Sequence, residues 1–491
     1  MISLESSYAT DLDDAFWIAW EGAEVPDPRV ILLNEALAAE LGLDAQSLRS
    51  AEGAALLSGM RAPEGSHPVA QAYAGHQFGG FSPRLGDGRA LLVGEIRDPR
   101  GRRWDLHLKG SGRTPFSRGG DGKAVLGPVL REYLMGEAMH ALGIPTTRGL
   151  AALVTGEQIV RQDGPKPGAI LARVASSHLR VGTFEYFSAR RDDDRVRRLV
   201  EYALERHDPE LLDTEDPALE LFRAVRSRQA ALVAEWMGVG FIHGVMNTDN
   251  TSISGETIDY GPCAFMDTYD PATVFSSIDR GGRYAYGRQA SVMQWNLARL
   301  AEALLPLFEV EDSDAAVELA GEEVERFGPL FLEEWTAVMR GKLGLEGTES
   351  GDARLAADLL DLMAEGEVDF TRGFRALSDE LRGDGAALRS LFDGGGEALD
   401  GWVARWEARL DEEGADREAR AVSMDRTNPI YIPRNHLVEE ALDAAESRLD
   451  LDPVRALLDV LSDPFTRRPG LERYAEPAPG DFGPYVTFCG T

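Results

Sequence analysis

The chain has 491 residues, with 83 Asp and Glu against 51 Lys and Arg, and a formal net charge of −32. That length exceeds one ordinary core and implies roughly two or three packed units. So acidic a surface repels nucleic acid and anionic membranes, which excludes polynucleotide binding except through a local basic cleft. Two cysteines, Cys263 and Cys489, provide neither a disulfide framework nor a cysteine-based zinc site. The start, Met-Ile-Ser-Leu-Glu-Ser-Ser, and the lack of an apolar run of membrane-spanning length read as a soluble cytoplasmic protein. The basic residues are forty-seven arginines and four lysines, so each lysine is a candidate for a task a guanidinium cannot perform.

Residues 1–65 read as an N-terminal extension with one helix over 28–43, from the spacing of Ile31, Leu32, Leu37 and Leu41. From Gln71 the text is dense in glycine, Ala-Tyr-Ala-Gly-His-Gln-Phe-Gly-Gly-Phe-Ser-Pro-Arg-Leu-Gly-Asp-Gly-Arg, and leads into a strand over 90–96. A glycine turn before a strand lets backbone N–H groups approach an anion, with Gly86, Gly88 and Arg89 best placed; a plain turn is the equal alternative. Trp104, Leu106 and Leu108 then alternate with Asp105, His107 and Lys109, a strand that turns Lys109 away from the core.

Residues 110–123 form a flexible loop. It is not a Walker A loop, because Ser117 stands at the first glycine and Ala124 at the required Ser or Thr, but Arg113, Arg118, Asp121 and Gly122 suit closure over a nucleotide. A helix over 128–142 offers Glu132, or its rival Glu137, to pair with Lys109. Strands over 150–155, 158–161 and 169–175 complete a mostly antiparallel sheet, and Arg173 and Arg180 near its exit suit a bidentate phosphate clamp.

Amphipathic helices over 196–206 and 217–238 pack beneath the stretch 241–261, Phe-Ile-His-Gly-Val-Met-Asn-Thr-Asp-Asn-Thr-Ser-Ile-Ser-Gly-Glu-Thr-Ile-Asp-Tyr-Gly. There 252–254 and 257–259 flank Gly255-Glu256 as a hairpin would, which brings Asp249, Asn250 and Asp259 together. Carboxylate and carboxamide oxygens so gathered suit a hard divalent cation and, through it, a nucleotide phosphate; a turn whose side chains cap backbone groups is the equal alternative. The span 282–307 holds another core helix. Residues 308–470 are acidic helices, with Asn-Pro-Ile-Tyr-Ile-Pro-Arg-Asn over 428–435 between two of them, and show no independent catalytic constellation.

His243, Asn250 seven positions later and Asp259-Tyr260-Gly261 resemble the H-R-D-x-x-x-x-N and D-F-G pair of protein kinases, with Val245 in place of the catalytic Asp. The wordings Ala-Gly-His-Gln-Phe-Gly, Leu-Lys-Gly-Ser-Gly-Arg-Thr-Pro-Phe-Ser-Arg, His-Gly-Val-Met-Asn-Thr-Asp-Asn, Asp-Tyr-Gly-Pro and the 428–435 motif strongly resemble the selenoprotein O family, called YdiU in bacteria, over most of the chain. The resemblance implies an α+β, protein-kinase-like bilobal fold: an antiparallel-sheet N-lobe over 66–185, a helical C-lobe over 186–320, and a helical C-terminal extension and tail over 321–491.

It also implies a pseudokinase that binds ATP in an inverted orientation and transfers AMP to Ser, Thr or Tyr hydroxyls of other proteins, with UTP as a second donor. By motif position, Lys109 with Glu132 would hold phosphates, and Gly86, Gly88, Arg89, Asp121 and Gly122 would contact the nucleotide. Arg173 and Arg180 would neutralise phosphates, Asn250 and Asp259 would bind Mg²⁺ or Mn²⁺, and Asp249 would be the general base. Kinase-type phosphotransfer and a non-catalytic ATP-binding scaffold, for which Val245 argues, are the alternatives. Animal members carry selenocysteine three residues from the end, where Cys489 stands, and a pairing of Cys489 with Cys263 is a further expectation.

Overall fold

In the computed structural model, which describes residues 3–488 apart from 64, 393, 395 and 415, the chain is α+β. The strands before residue 176 are β1 (Trp17–Ala19), β2 (Arg29–Leu33), β3 (Val69–Gln71), β4 (Gly75–Gln77), β5 (Gly80–Ser82), β6 (Ala90–Arg97), β7 (Arg103–Lys109), β8 (Ala124–Val125), β9 (Arg148–Arg161) and β10 (Gly164–Ala175). Eight of them make one antiparallel sheet in the order β1-β3-β6-β7-β10-β9-β2, with β8 paired on β10, while β4 and β5 form a separate hairpin.

The helix expected over 28–43 is a strand followed by a shorter helix. The adjacent β-branched Val30 and Ile31 lie in β2, which pairs along β9; the helix Glu35–Glu40 starts only after Asn34, whose side chain accepts the Leu37 N–H at 3.0 Å. Two strands from the segment read as an extension, β1 and β2, are therefore part of the sheet. The helices Glu35–Glu40, Ala45–Arg49 and Ala51–Leu57 cover its outer face, where Leu37, Leu48 and Leu57 join Leu106, Leu108 and Ile170 in one core. The two strands expected over 150–155 and 158–161 are one, β9, which continues through Gly156 in a left-handed conformation (φ +79°).

The inner face carries the alternate residues of β7 and β10 and is covered by the helix Leu126–Ala141, whose Leu126, Leu130 and Leu134 share a core with Leu92, Ala169 and Leu171. Beyond β10 the chain is mainly helical. The hairpin expected over 252–259 does not form. Its turn exists, with the Gly255 N–H donating to the Ser252 carbonyl at 3.3 Å, but Ser252 bridges to Arg180 and Thr257 to Thr146. Remote segments satisfy those backbone groups, so the arms need not pair with each other.

The C-terminal helices have their own core around Phe370, Phe374, Trp402 and Trp406. The 428–435 motif fastens it to the rest. Asn428 Nδ2 donates to the Lys342 carbonyl at 2.8 Å and Asn435 Nδ2 to the Phe265 carbonyl at 2.9 Å. Arg434, 0% exposed, donates from Nη1 to Asp267 Oδ1 at 2.5 Å and to Asp369 Oδ2 at 2.7 Å, and from Nη2 to the Ala475 carbonyl at 2.9 Å. Among the described residues no helix is long and apolar enough to cross a membrane. Removing one member of a buried ion pair strands the other, at about 3–5 kcal/mol. Arg434→Met is accordingly expected to lower the urea midpoint by that much stability, and an unchanged midpoint would show that the clamp is dispensable.

Candidate active site

Lys109 closes β7 on the inner face. Its Nζ lies 2.5 Å from Glu132 Oε2 on the helix Leu126–Ala141 and 2.6 Å from Asp259 Oδ1. Glu132 Oε1 in turn accepts from Arg173 Nη1 at 2.5 Å. Glu137, the rival candidate, is occupied elsewhere: it binds Arg148 at 2.8 Å and accepts the Gly149 N–H at 3.0 Å. Burial pushes both Glu132 and Asp259 up, but Lys109 and Arg173 bring Glu132 below its ordinary value, and Lys109 and Arg89 hold Asp259 well below the usual carboxylate range. Asp259 also has a left-handed backbone, φ +68°, a conformation Asp tolerates better than most residues and one that gathers at functional sites.

These groups border a cavity of about 470 Å³ that is also lined by Gly86, Gly88, Arg89, Asp121, Gly122, Arg180, Val245, Asp249 and Asn250. The residues expected to contact nucleotide, phosphate or metal line this cavity or, as with Glu132, bond a residue that does, whereas Glu137, Arg113 and Cys263 are not in its lining. The glycine turn is not the expected anion cradle, however. The N–H groups of Gly86, Asp87 and Gly88 already donate to the carbonyls of Tyr73, Gln71 and Gly86. The glycines instead admit the 110–123 loop: a Cβ on Gly86 would lie 2.3 Å from the Phe116 ring, and one on Gly88 3.0 Å from the Phe116 carbonyl oxygen. In that loop Asp121 binds Arg161 at 2.7 Å and accepts the Lys123 N–H at 2.9 Å.

Arg180 donates from Nε to the His178 carbonyl at 3.2 Å and from Nη1 to the Asp249 carbonyl at 3.0 Å, and it lies over the Tyr73 ring at 4.3 Å. Its Nη2 is buried without a partner, a donor in search of an acceptor. Asp249 is held from the far side of the chain. The β4–β5 hairpin docks on it, the His76 N–H donating to Thr248 Oγ1 at 2.6 Å and Gln77 Nε2 to Asp249 Oδ2 at 3.1 Å. A Cβ on Gly75 would lie 2.9 Å from Asp249 Oδ1, so only glycine fits there. Sequence reasoning did not find Gln77 or Gly75; their signal was the wording Ala-Gly-His-Gln, with no local pattern to assign it. Burial raises the Asp249 carboxyl to about 6, against the opposing charge of Arg180, and its Oδ1 has no hydrogen-bond partner.

Val245 lines the cavity, and His243 is a framework residue, donating from Nε2 to the Ile258 carbonyl at 2.9 Å. Asn250 Nδ2 donates to the Val245 carbonyl at 3.0 Å, which leaves its amide oxygen as an acceptor. Among the described residues no cluster of three or more His, Cys, Asp or Glu is arranged around a metal position. The Asn250 amide oxygen and the Asp259 carboxylate, both bordering the cavity, could hold a Mg²⁺-like cation whose shell is otherwise water and phosphate. Burial, opposed by Arg131, pushes the Cys263 thiol up to about 12, and Thr487 Oγ1 donates to the neighbouring Pro262 carbonyl at 2.7 Å; Cys489 lies outside the described residues.

The whole chain has close relatives. A family model described as protein adenylyltransferase SelO matches residues 2–462. A protein nucleotidyltransferase YdiU of Cereibacter sphaeroides is 60% identical over 488 residues, 99% of each chain. One of a Mycobacterium species is 57% identical over 492 residues, 100% of this chain and 99% of the relative, and one of Mycolicibacterium smegmatis is 55% identical over 496 residues, 100% and 98%. With the family model and these relatives spanning nearly every residue, the chain belongs to the SelO family of protein adenylyltransferases.

Proposed function

We propose that the cavity binds ATP and that the chain transfers AMP from it to Ser, Thr or Tyr hydroxyls of other proteins, on a protein-kinase-like bilobal framework, in the cytoplasm. UTP is a second candidate donor. The observation that carries this reading is the meeting, in one cavity, of Lys109, Arg173 and Arg180 with Asp249, Asn250 and Asp259, in a chain of this family.

The chemistry follows from the charges. A substrate hydroxyl attacks the α-phosphorus in line, its oxygen bonds to phosphorus, and the bond to pyrophosphate breaks. Lys109, fixed by Glu132, and the arginines neutralise the charge that the departing pyrophosphate gathers. Asp249, raised to about 6 by burial, accepts the hydroxyl proton, a role Val245 cannot take. Asp259 and Asn250 would hold Mg²⁺ or Mn²⁺, which would supply further charge neutralisation on the phosphates. Val245 also supports a second reading, a nucleotide-binding scaffold without catalysis, and Asp249 as base supports γ-phosphoryl transfer.

Label from α-labelled ATP is expected to appear on protein and label from γ-labelled ATP is not; the reverse pattern would establish a kinase, and ATP binding without either transfer a scaffold. Asp259→Asn is expected to abolish transfer together with metal-dependent nucleotide binding. Asp249→Asn is expected to lower the transfer rate by roughly 10²–10⁴-fold while nucleotide affinity, measured by titration calorimetry, holds. Equal loss of binding in both variants would mean that Asp249 is a ligand-binding residue and not the base.

A further inference from the structure

Arg173 rests on a buried histidine that none of the roles above uses. In the antiparallel register of β7 and β10, His107 stands directly opposite Arg173. Arg173 Nε and Nη2 lie 3.4 and 3.3 Å from His107 Nδ1. Arginine can only donate, so Nδ1 is the acceptor and the ring proton sits on Nε2, which donates to Asp87 Oδ2 at 3.2 Å. Asp87 is the middle residue of the glycine turn, and the same oxygen accepts the Gln71 N–H at 3.0 Å. His107 and Asp87 are 0% and 1% exposed, and the His178 ring stacks on His107 at 4.1 Å.

Burial, reinforced by the charge of Arg173, keeps the His107 ring far below its ordinary pKa and therefore neutral. A guanidinium has five N–H groups. Here one goes to Glu132 and two to His107, which leaves two for a ligand.

We propose that His107 is a positioning residue: tethered by Asp87 of the glycine turn, it fixes the guanidinium of Arg173 so that the two uncommitted N–H groups are offered to a nucleotide phosphate. This rests on the reading of the cavity as an ATP site. It also gives the glycine turn a part in phosphate binding that its own N–H groups do not play. The contacts run from Asp87 through His107, Arg173, Glu132 and Lys109 to Asp259 without a gap. A histidine that merely fills the core would leave the pose of Arg173 to Glu132 alone.

A double-mutant cycle on ATP affinity in the full chain separates the two cases. His107→Phe keeps a ring against His178 but offers no acceptor, and ATP affinity is expected to fall roughly tenfold. His107→Gln, whose amide can accept from Arg173 and donate to Asp87, is expected to restore affinity to within roughly threefold of the parent. On an Arg173→Ala background, His107→Phe is expected to cost nothing further. Should the phenylalanine variant fail to fold, His107→Asn, whose shorter amide can serve only one partner, takes its place with the same expectation. A full additional loss on the Arg173→Ala background, or failure of Gln to rescue, overturns the proposal. A parent chain that binds ATP without transferring AMP would sink the functional reading yet leave the cycle readable; one that binds no ATP removes both.

Discussion

The ammonium of Lys109 is the charge on which the site's geometry depends. Burial raises the carboxyls of Glu132 and of the part-buried Asp259, and Lys109 is the strongest attraction that lowers each. A buried cluster of this kind is weak evidence for stability, because desolvation consumes much of the Coulombic gain. It is better understood as stored orientation. One strand, one helix and one loop are brought to a common point by a group that no arginine of this arginine-rich chain could replace without changing its shape.

The two faces of the sheet divide the labour. The helices Glu35–Glu40, Ala45–Arg49 and Ala51–Leu57 seal the outer face, so the alternation of β7 leaves Asp105, His107 and Lys109 for the inner face. There charge is tolerated only in company. The buried His178 holds Asp105 at 3.0 Å, and Arg206 meets the other Asp105 oxygen at 2.6 Å. Arg173 and Arg180 thus stand on a floor of buried polar groups, which is costly to build.

How much of this was legible in the sequence depended on how far apart the partners lie. Strand alternation put Lys109 on the correct face, and the helix Leu126–Ala141 with its Glu132 was readable from apolar spacing. The His-to-Asn and Asp-Tyr-Gly wording located the cavity wall. Gln77 and Asp249 are 172 positions apart, and no local pattern joins them. The same limit explains the misread hairpin: Gly255 does make a turn, but Arg180 and Thr146, not neighbouring residues, take up its arms. Over 28–43 a helical spacing was present, yet the edge of β9 offered Val30, Leu32 and Leu33 a better use. The glycine turn reads as an anion cradle or a plain turn, and local sequence cannot show that its glycines clear space for Phe116 and its aspartate holds His107.

Lysine scarcity has one more consequence. Of the four primary amines on side chains, Lys342 is sealed in the C-terminal core against Phe374, where burial lowers it to about 7, and Lys123 and Lys166 stand at 31% and 26% side-chain exposure in ion pairs. Lys109 opens onto the cavity at 12%. Two of the four amines, Lys109 and Lys123, line the cavity, so their joint protection from a small acylating reagent, with Lys166 as the reference, would report on whether the cavity is filled.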